Sequence, residues 1–342
     1  MTGLPHVTEK PAPERTRQSD AAVLITGAGG EVGHGLVAAL HGAGRQRIVA
    51  LDLRELEAGQ RELCRTAYVG DIRDRDLLRE IISRHEIDEI HHLAAVLSTK
   101  AERDPILAHE VNVDGTANML LLAAEQAERT GRPMTFIFPS SIAVYGLPDR
   151  DVKRRAGRVR EDEHLAPRTI YGCHKLFAEH LGRNLARRGV DFRSLRFPGL
   201  ISAHTLPSGG TSDFAPEMVH AAARHEHYRC FVRPDTRIPF MAMPDAVEAT
   251  LRLAAADADR LTTRIYNLAA FSPSAEELAA RLRSSVGTID VTYEPDLQRQ
   301  AIVDSWPQDV DDTAARREWG FEPRYDLDRA IEEYLLPPLR SA

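Results

Sequence analysis

The sequence has little cysteine and no long apolar segment. Only three cysteines, Cys64, Cys173 and Cys230, occur in 342 residues, and they lie far apart. This pattern excludes a disulfide framework and favours a reducing compartment. No apolar run approaches the roughly 18 residues of a membrane helix, and the chain does not begin with a signal peptide. We therefore expect a soluble, cytoplasmic protein.

Positive charge is slightly outnumbered by negative charge. The chain has 44 Lys and Arg against 51 Asp and Glu, a net charge of −7, with the two signs interspersed. It lacks the basic stripe that nucleic-acid binding requires. The histidines show no ligand spacing with cysteines, so we expect no metal centre. The histidines considered as ligands, and expected to be ordinary surface or core residues, are His85, His91, His92, His225 and His227.

Short apolar runs alternate with helical patterns from residue 22 to about residue 200. The apolar runs are Ala22–Thr26, Ile48–Asp52, Ile87–Leu93, Thr135–Pro139 and Phe192–Phe197, and the helical patterns are Val32–Ala43, Arg73–Arg84, Pro105–Arg129 and Tyr171–Arg188. This alternation predicts an α/β fold of the Rossmann type, in which helices cover both faces of a doubly wound parallel sheet.

A glycine-rich turn follows the first apolar run. Gly27, Gly30 and Gly33 stand three residues apart, where a strand would end and a helix begin. The free N–H groups and the dipole of such a helix favour a pyrophosphate. Asp52 ends the next apolar run, where a carboxylate binds ribose hydroxyls and repels a 2′-phosphate. The pattern predicts NAD, although Arg54 would weaken the preference, and Asp52 as a solvated strand end stays an alternative.

Three further residues have the types and spacing needed to oxidise an alcohol. Tyr171 and Lys175 are four residues apart, so on a helix they share one face. An ammonium beside a phenol favours the phenolate, so we expect Lys175 to lower the pKa of Tyr171 and make it a general base. Ser141 offers a hydroxyl for the reacting oxygen. The alternative is that Tyr171 and Lys175 are an ordinary pair on a helix surface and that Ser141 is a polar residue at the end of a strand.

These residues together resemble the extended short-chain dehydrogenase/reductase superfamily. The resemblance rests on Thr26–Gly33, Asp52, Gly70–Ile72, His92–Ala95, Asn112, Ser141, Tyr171 and Lys175. It implies that Asp71 and Ile72 contact adenine, and that Asn112 is structural or relays a water. The full set expected at the cofactor is Gly27, Gly30, Glu31, Val32, Gly33, Asp52, Asp71, Ile72, Leu93, Ala94, Ala95, Asn112, Tyr171, Lys175 and Pro198.

The second half of the chain resembles a narrower family, the short-chain type of L-threonine 3-dehydrogenase. The motifs Gly209–Asp213 and Asp304–Pro307 carry this likeness, which runs from about residue 22 to about residue 335. It implies oxidation of the β-hydroxyl of threonine by NAD. The residues expected at the substrate are Ser98, Ser141, Thr211, Asp213 and Trp306. Asp213 would face the ammonium group, and Trp306 would close the pocket and exclude water.

The resemblance also implies an organisation for the whole chain. We expect a disordered tail over residues 1–20, an NAD-binding Rossmann-type domain over 21–200, and a mainly substrate-binding α/β lobe over 201–342, with some segments returning to the Rossmann domain. Ser272 is a candidate cap for a helix over Ser274–Ser284, with Pro273 in its first turn. The family leads us to expect a homodimer formed through Pro105–Arg129 and Tyr171–Arg188.

Two places depart from the threonine dehydrogenase pattern. The segment 147–168 is longer than expected and highly charged, which indicates a solvated insertion or one that touches the pocket mouth. His174 stands where the family has serine, and it either packs beside Lys175 or tunes the pKa of Tyr171. Both departures leave room for another β-hydroxy amino acid as substrate.

Two other functions stay open at this point. A nucleotide-sugar 4-epimerase or dehydratase is the first, because the basic insertion would suit a diphosphate, although Asp213 would repel one. The second is a cofactor-binding regulator without turnover. The presence of Ser141, Tyr171 and Lys175 argues against a regulator without turnover.

Overall fold

The computed structural model describes residues 21–205 and 210–341. The predicted disordered tail, residues 1–20, lies outside the described residues. In chain order the strands are β1 (Ala22–Thr26), β2 (Ile48–Asp52), β3 (Thr66–Val69), β4 (Ile87–His92), β5 (Met134–Ser141), β6 (Arg158–Val159), β7 (Val190–Phe197), β8 (Gly199–Ile201), β9 (Tyr228–Cys230), β10 (Phe240–Ala242), β11 (Ile265–Asn267), β12 (Val291–Tyr293) and β13 (Asp309–Val310).

Seven of these strands form one sheet, in the order β11-β7-β5-β4-β1-β2-β3. Every neighbouring pair in it is parallel. The residues of β1 are all buried, as expected where helices cover both faces of a parallel sheet. The predicted doubly wound α/β fold is confirmed. The strand order reverses between β1 and β4, and ligands bind beyond the carboxyl ends of strands at such a point.

Helices connect the strands and cover the sheet. They are α1 (Glu31–Gly42), α2 (Ala58–Glu62), α3 (Arg75–Arg84), α4 (Ser98–Arg103), α5 (Pro105–His109), α6 (Thr116–Thr130), α7 (Arg150–Ala156), α8 (Ile170–Leu185), α9 (Phe214–Ala223), α10 (Met243–Ala255), α11 (Ala275–Val286), α12 (Leu297–Ser305), α13 (Thr313–Trp319), α14 (Leu327–Arg329) and α15 (Leu336–Ser341). Two π-helical segments, Glu110–Gly115 and Ala330–Leu335, continue their neighbours, and 3₁₀ turns cover Ile142–Val144, Ala186–Arg188 and Ala258–Arg260.

The cap of α11 differs from the sequence prediction. Ser274, and not Ser272, caps this helix, and it forms a reciprocal capping box with Glu277. Ser272 instead donates a hydrogen bond to Asp309 Oδ1 at 3.0 Å. The capping box satisfies the first N–H groups of α11 two residues later in the chain than expected.

The chain after residue 200 contributes to the main sheet and to three small parallel sheets, one of which is β6–β13. Strand β11 pairs with β7 at the edge of the seven-stranded sheet. The pairs β8–β10 and β9–β12 lie beyond it. The division at residue 200 into two functional domains stays a prediction. None of the helices in the described ranges has the length and apolar character required to cross a bilayer.

Candidate functional site

The glycine turn lies where β1 meets the end of β4. Gly27 has a φ of 68°, which favours glycine. A Cβ there would lie 2.7 Å from the backbone nitrogen of Ala94, so the loop after β4 touches the turn closely. A Cβ on Gly33 would lie 2.5 Å from the Ala28 carbonyl oxygen. Both glycines are therefore required for the close approach of strand, turn and helix.

The N-terminus of α1 faces this turn without a side-chain cap. Gly30 is its N-cap residue and forms no side-chain cap bond, and Glu31 and Val32 follow in the first turn. Asp52 lies beside the turn, because its carboxylate accepts hydrogen bonds from the Gly29 nitrogen at 2.9 Å and the Arg54 nitrogen at 3.1 Å. Backbone N–H groups beside one carboxylate suit a pyrophosphate and a ribose, so these residues fit a dinucleotide.

The residues expected near adenine and along the cofactor are engaged in different ways. Arg73 binds Asp71 at 2.7 Å and lowers the pKa of that carboxyl. Ile72 is buried. Asn112 uses both ends of its amide on the backbone of Val96, at 2.7 and 2.9 Å. It therefore holds the loop that follows β4. Leu93, Ala94 and Ala95 are half-buried in that loop, and Pro198 is buried after β7.

The segment after Ser141 packs closely against the start of α8, which carries Tyr171. Ser141 ends β5, and its Oγ accepts a hydrogen bond from the Ala143 nitrogen at 3.1 Å. Thr169 caps α8 by accepting from the Gly172 nitrogen at 3.0 Å. A Cβ on Gly172 would lie 2.1 Å from the Ala143 carbonyl oxygen. This packing holds the first turn of α8, which carries Tyr171, against the segment after Ser141.

The pKa of Tyr171 is raised in the fold, and not lowered as the sequence predicts. The Lys175 ammonium donates to the Pro139 carbonyl at 2.6 Å and lies 5.4 Å from the centroid of the Tyr171 ring. Burial lowers the pKa of Lys175 to about 7 and raises the pKa of Tyr171 above its usual range. The prediction was wrong because it weighed the charge pair without the loss of water around both groups.

A buried ion pair behind Lys175 was missed at the sequence level. Arg196 on β7 binds Glu179 on α8 through two contacts of 2.9 and 2.7 Å, and Glu179 also accepts from the Ser140 hydroxyl at 2.5 Å. The same arginine donates to the Tyr145 hydroxyl at 2.8 Å. Position 179 is four residues after Lys175, so the spacing places both on one face of α8, but the ion pair with Arg196 on another element leaves no local signal.

Four polar groups expected at the substrate or as the catalytic base have no hydrogen-bond partner within residues 21–205 and 210–341. They are the hydroxyls of Ser98, Thr211 and Tyr171 and the indole Nε1 of Trp306. The indole nitrogen is buried, and the Trp306 side chain is 5% exposed. Trp306 belongs to a hydrophobic cluster against which Tyr171 packs. A buried donor without a partner favours an acceptor on a ligand.

The motif around Asp213 is described from Gly210 onward, and Gly209 lies outside the described residues. Asp213 Oδ2 accepts a hydrogen bond from the Gly210 nitrogen at 2.6 Å. The side chain of Arg299 on α12 donates to the Gly210 carbonyl. A carboxylate can accept several hydrogen bonds, so Asp213 keeps capacity for an ammonium group.

Both departures from the family pattern take a defined structure. His174 is buried, with its ring centroid 5.5 Å from that of His109, and burial lowers its pKa. Its ring therefore packs against His109 on α5, and the choice between packing beside Lys175 and tuning the pKa of Tyr171 stays a prediction. The segment 147–168 forms α7 and β6, and Lys153 and Val159 within it are buried. The expectation of a solvated insertion is wrong for these two residues, because α12 and β13 cover them.

No group of three or more histidine, cysteine, aspartate or glutamate side chains in the described part of the chain is placed to hold a metal ion. The histidines weighed as ligands include His92, which bonds instead to Thr26 at 2.8 Å and Thr116 at 3.0 Å. These bonds tie β1, β4 and α6 together. The absence of a metal from the reaction stays a prediction.

The fold and site define a class of enzyme. The chain belongs to the NAD-dependent epimerase/dehydratase family, whose model matches residues 23–269. The predictions of an enzyme and of NAD as its cofactor are confirmed at the level of the family.

Within this class the chain is similar to L-threonine 3-dehydrogenases. It is 37% identical over 322 residues to the mitochondrial L-threonine 3-dehydrogenase of Bos taurus, covering 92% of this chain and 81% of the relative. A monomeric L-threonine 3-dehydrogenase from a metagenome, in its apo form, is 38% identical with a TM-score of 0.82 over 93% of this chain and 99% of that one. The holo form of L-threonine dehydrogenase from Cupriavidus necator is 36% identical, with a TM-score of 0.83 and the same coverage.

Proposed function

We propose that this protein oxidises the β-hydroxyl of L-threonine, or of a closely related β-hydroxy amino acid, to the 2-amino-3-keto acid with NAD. The observation that carries the proposal is that Tyr171, whose hydroxyl is unbonded, packs against the same hydrophobic cluster that contains Trp306 with its buried, unbonded indole N–H. The names of the related L-threonine 3-dehydrogenases support it.

The cofactor would be held by groups that fit it. The turn from Gly27 to Gly33 and the uncapped start of α1 would bind the pyrophosphate, and Asp52 would bind a ribose hydroxyl. Lys175 would also bind the nicotinamide ribose, as the family resemblance implies. When bound, NAD accepts the hydride from the carbon that carries the alcohol.

Tyr171 would take the proton from the substrate hydroxyl. As the O–H bond breaks, its electron pair forms the second carbon–oxygen bond of the ketone. Burial opposes the phenolate form of Tyr171, because it raises the pKa of the phenol. The positive charge of Lys175 at 5.4 Å from the ring favours the phenolate. Ser141 would donate a hydrogen bond to the reacting oxygen.

The remaining groups would recognise the amino acid. Asp213 would bind the substrate ammonium, because a carboxylate is its natural partner. Trp306 would donate its indole N–H to a substrate oxygen. Thr211 is buried and Ser98 begins α4, and their unbonded hydroxyls would serve the carboxylate and the alcohol.

A substrate panel tests the proposal. Incubation of the enzyme and NAD with L-threonine, L-serine, L-allo-threonine and β-phenylserine should give NADH, followed by its near-ultraviolet absorbance, with the keto product identified by mass spectrometry. The same panel with NADP should give slower turnover, because Asp52 lies beside the turn.

The nucleotide-sugar epimerase is the alternative within the same family. Such an enzyme would convert a UDP-sugar without net formation of NADH. No NADH from any amino acid, together with conversion of a UDP-sugar, would replace the proposed function with this one. The acidic Asp213 beside the Gly210 nitrogen disfavours it, because a diphosphate is repelled by a carboxylate.

We also propose the remaining features of the whole protein. The division into a Rossmann-type domain over 21–200 and a substrate lobe over 201–342 is supported by the small sheets after residue 200. A cytoplasmic location is supported by the three free cysteines. A homodimer through Pro105–Arg129 and Tyr171–Arg188 is supported by the exposed Ile106 in the first range and the exposed Phe177 in the second, although one relative is described as monomeric.

A further inference from the structure

The inserted segment, residues 147–168, packs on the part of the chain that carries Trp306. Its helix α7 lies against α12, and its strand β6 pairs with β13. Trp306 directly follows α12 and precedes β13. The inserted segment therefore contacts the chain on both sides of this tryptophan.

Lys153 makes the most specific of these contacts. Its side chain is 7% exposed, and its ammonium donates to the carbonyl of Val303 at 2.9 Å. The same carbonyl accepts the backbone N–H of Trp306 at 3.2 Å, which ends α12. A lysine on the last carbonyls of a helix stabilises its C-terminus. Lys153 thus bonds to the acceptor that fixes the backbone of Trp306.

Three more contacts hold the same stretch. The Leu147 nitrogen donates to the Ser305 carbonyl at 2.8 Å, and the Asp311 nitrogen donates to the Val159 carbonyl at 2.9 Å. Arg158 binds Asp312 at 2.8 Å. An open groove of about 700 Å³ lies between α7 and the end of α12, and Leu147 and Ser305 both line it.

The helix α12 also reaches the other side of the expected substrate site. Arg299 near its start binds the Gly210 carbonyl, and Gly210 donates to Asp213. A shift of α12 would therefore displace Trp306 and the Gly210–Asp213 turn together.

We propose that the inserted segment is a positioning element for substrate recognition, in which Lys153 holds the end of α12 and thereby sets the place of the Trp306 indole. It acts on the amino-acid substrate and leaves the NAD turn after β1 unaffected. Its kinetic consequence rests on the proposed function, whereas its effect on Trp306 does not.

The variant Lys153→Met tests this proposal, with Arg155→Met as its matched control. Arg155 lies on the same helix, is exposed, and has no bonded partner among the described residues. Removing the bond of a buried cation should raise KM for L-threonine about tenfold. The value of kcat and the KM for NAD should stay close to those of the parent. Arg155→Met should leave all three unchanged.

Trp306 itself supplies a readout that needs no substrate. The chain has two tryptophans, and Trp319 lies in another hydrophobic cluster with its indole nitrogen unbonded. In a Trp319→Phe background the emission therefore comes from Trp306 alone. Lys153→Met should shift that emission to longer wavelength and increase its quenching by acrylamide, whereas Arg155→Met should not.

The outcomes separate the two proposals. Unchanged Trp306 emission and an unchanged KM for threonine in Lys153→Met overturn the positioning role. Parallel losses in every kinetic parameter, with unchanged emission, overturn it as well. If wild-type protein does not oxidise amino acids, the proposed function fails, while the emission arm still decides the positioning role. Should Lys153→Met fail to fold, Arg158→Gln, whose side chain is 54% exposed, tests the β6–β13 side by the same readouts.

Discussion

At the scale of single residues, Tyr171 and Lys175 illustrate how burial and charge compete. Each side chain is neutral more readily in the fold than in water, because desolvation raises the pKa of Tyr171 and lowers that of Lys175 to about 7. The phenolate of Tyr171 or the ammonium of Lys175 is therefore accessible only when the other group or a ligand compensates its charge. Stability therefore favours the neutral forms of both side chains, whereas the proposed reaction requires Tyr171 in its charged, phenolate form.

The hydroxyl of Tyr171 is the group whose loss should affect chemistry and little else. Tyr171→Phe keeps the ring in its cluster and removes the proton acceptor. We expect kcat to fall by about 10²–10⁴-fold, while the Kd for NAD, measured by calorimetric titration, stays near the parent value. Turnover close to the parent would show that another group accepts the proton.

Lys175→Met should stabilise the protein in a pH-dependent way. The folded state releases the Lys175 proton near pH 7, whereas the unfolded chain holds it until about pH 10.5. Because the unfolded state binds the extra proton between these values, the stability of the parent rises over this range. The gain in free energy of unfolding of Lys175→Met over the parent should be largest below pH 7 and shrink by roughly a few kcal/mol towards pH 10.5.

Urea unfolding of parent and variant at pH 6 and pH 10 measures this difference, with activity followed in parallel. The exposed Lys100 gives the control, since Lys100→Met should leave the pH profile of unfolding unchanged. A Lys175→Met variant whose relative stability is the same at both pH values would contradict the buried-ammonium interpretation.

At the scale of elements, the β1–turn–α1 unit depends on the lack of one side chain. A Cβ on Gly33 would lie 2.5 Å from the Ala28 carbonyl oxygen and 2.6 Å from that of Gly27, and backbone atoms cannot move aside. Gly33→Ala should therefore weaken NAD binding by about tenfold or more through distortion of the turn. Fluorescence titration with NADH measures the effect.

The matched control for this prediction lies at the other end of the same helix. A Cβ on Gly42 would meet no atom within 4 Å. Gly42→Ala should leave NADH binding unchanged and raise the free energy of unfolding by about 0.5–1 kcal/mol, because alanine favours the helix. Equal effects of the two substitutions would rule out the steric interpretation of Gly33.

The elements that the sequence predicted are those whose signal is local. Buried parallel strands are apolar throughout, so β1 and β2 were found with their observed bounds. The edge strand β3 is only half-buried, and β11 has three residues whose pairing with β7 defines it, so neither stood out. Short or half-exposed strands acquire their structure from neighbours distant in the chain.

The same distinction applies to the candidate site. Tyr171 and Lys175 were predicted because four residues along a helix form a recognisable unit. The partners of Glu179 and Lys153 lie 17 and 150 residues away, so their burial could not be predicted from spacing. The raised pKa of Tyr171 was missed for the same reason, since solvent exclusion depends on the whole packed site.

At the scale of the whole molecule, the surface near α5 and α8 carries two exposed apolar side chains. Phe177 is 42% exposed and Ile106 is 73% exposed. If these faces form the proposed homodimer, Phe177→Glu should convert a dimer to a monomer in sedimentation velocity, because a charge would be buried in the interface. Leu297→Glu, at a site 84% exposed on α12, is the control and should leave the dimer intact.

The π-helical segment Glu110–Gly115 has a consequence for how this chain can change by insertion and deletion. Residues 105–130 form one continuous rod, and this segment carries one residue more than an α-helical turn would. Deleting that residue would restore a regular helix but rotate Asn112 by about 100° away from Val96. Deleting this one residue would thus make the helix regular, but the loop after β4, which packs against Gly27, would lose its bonds to Asn112. The loop beside the cofactor cleft therefore depends on this irregular helical turn.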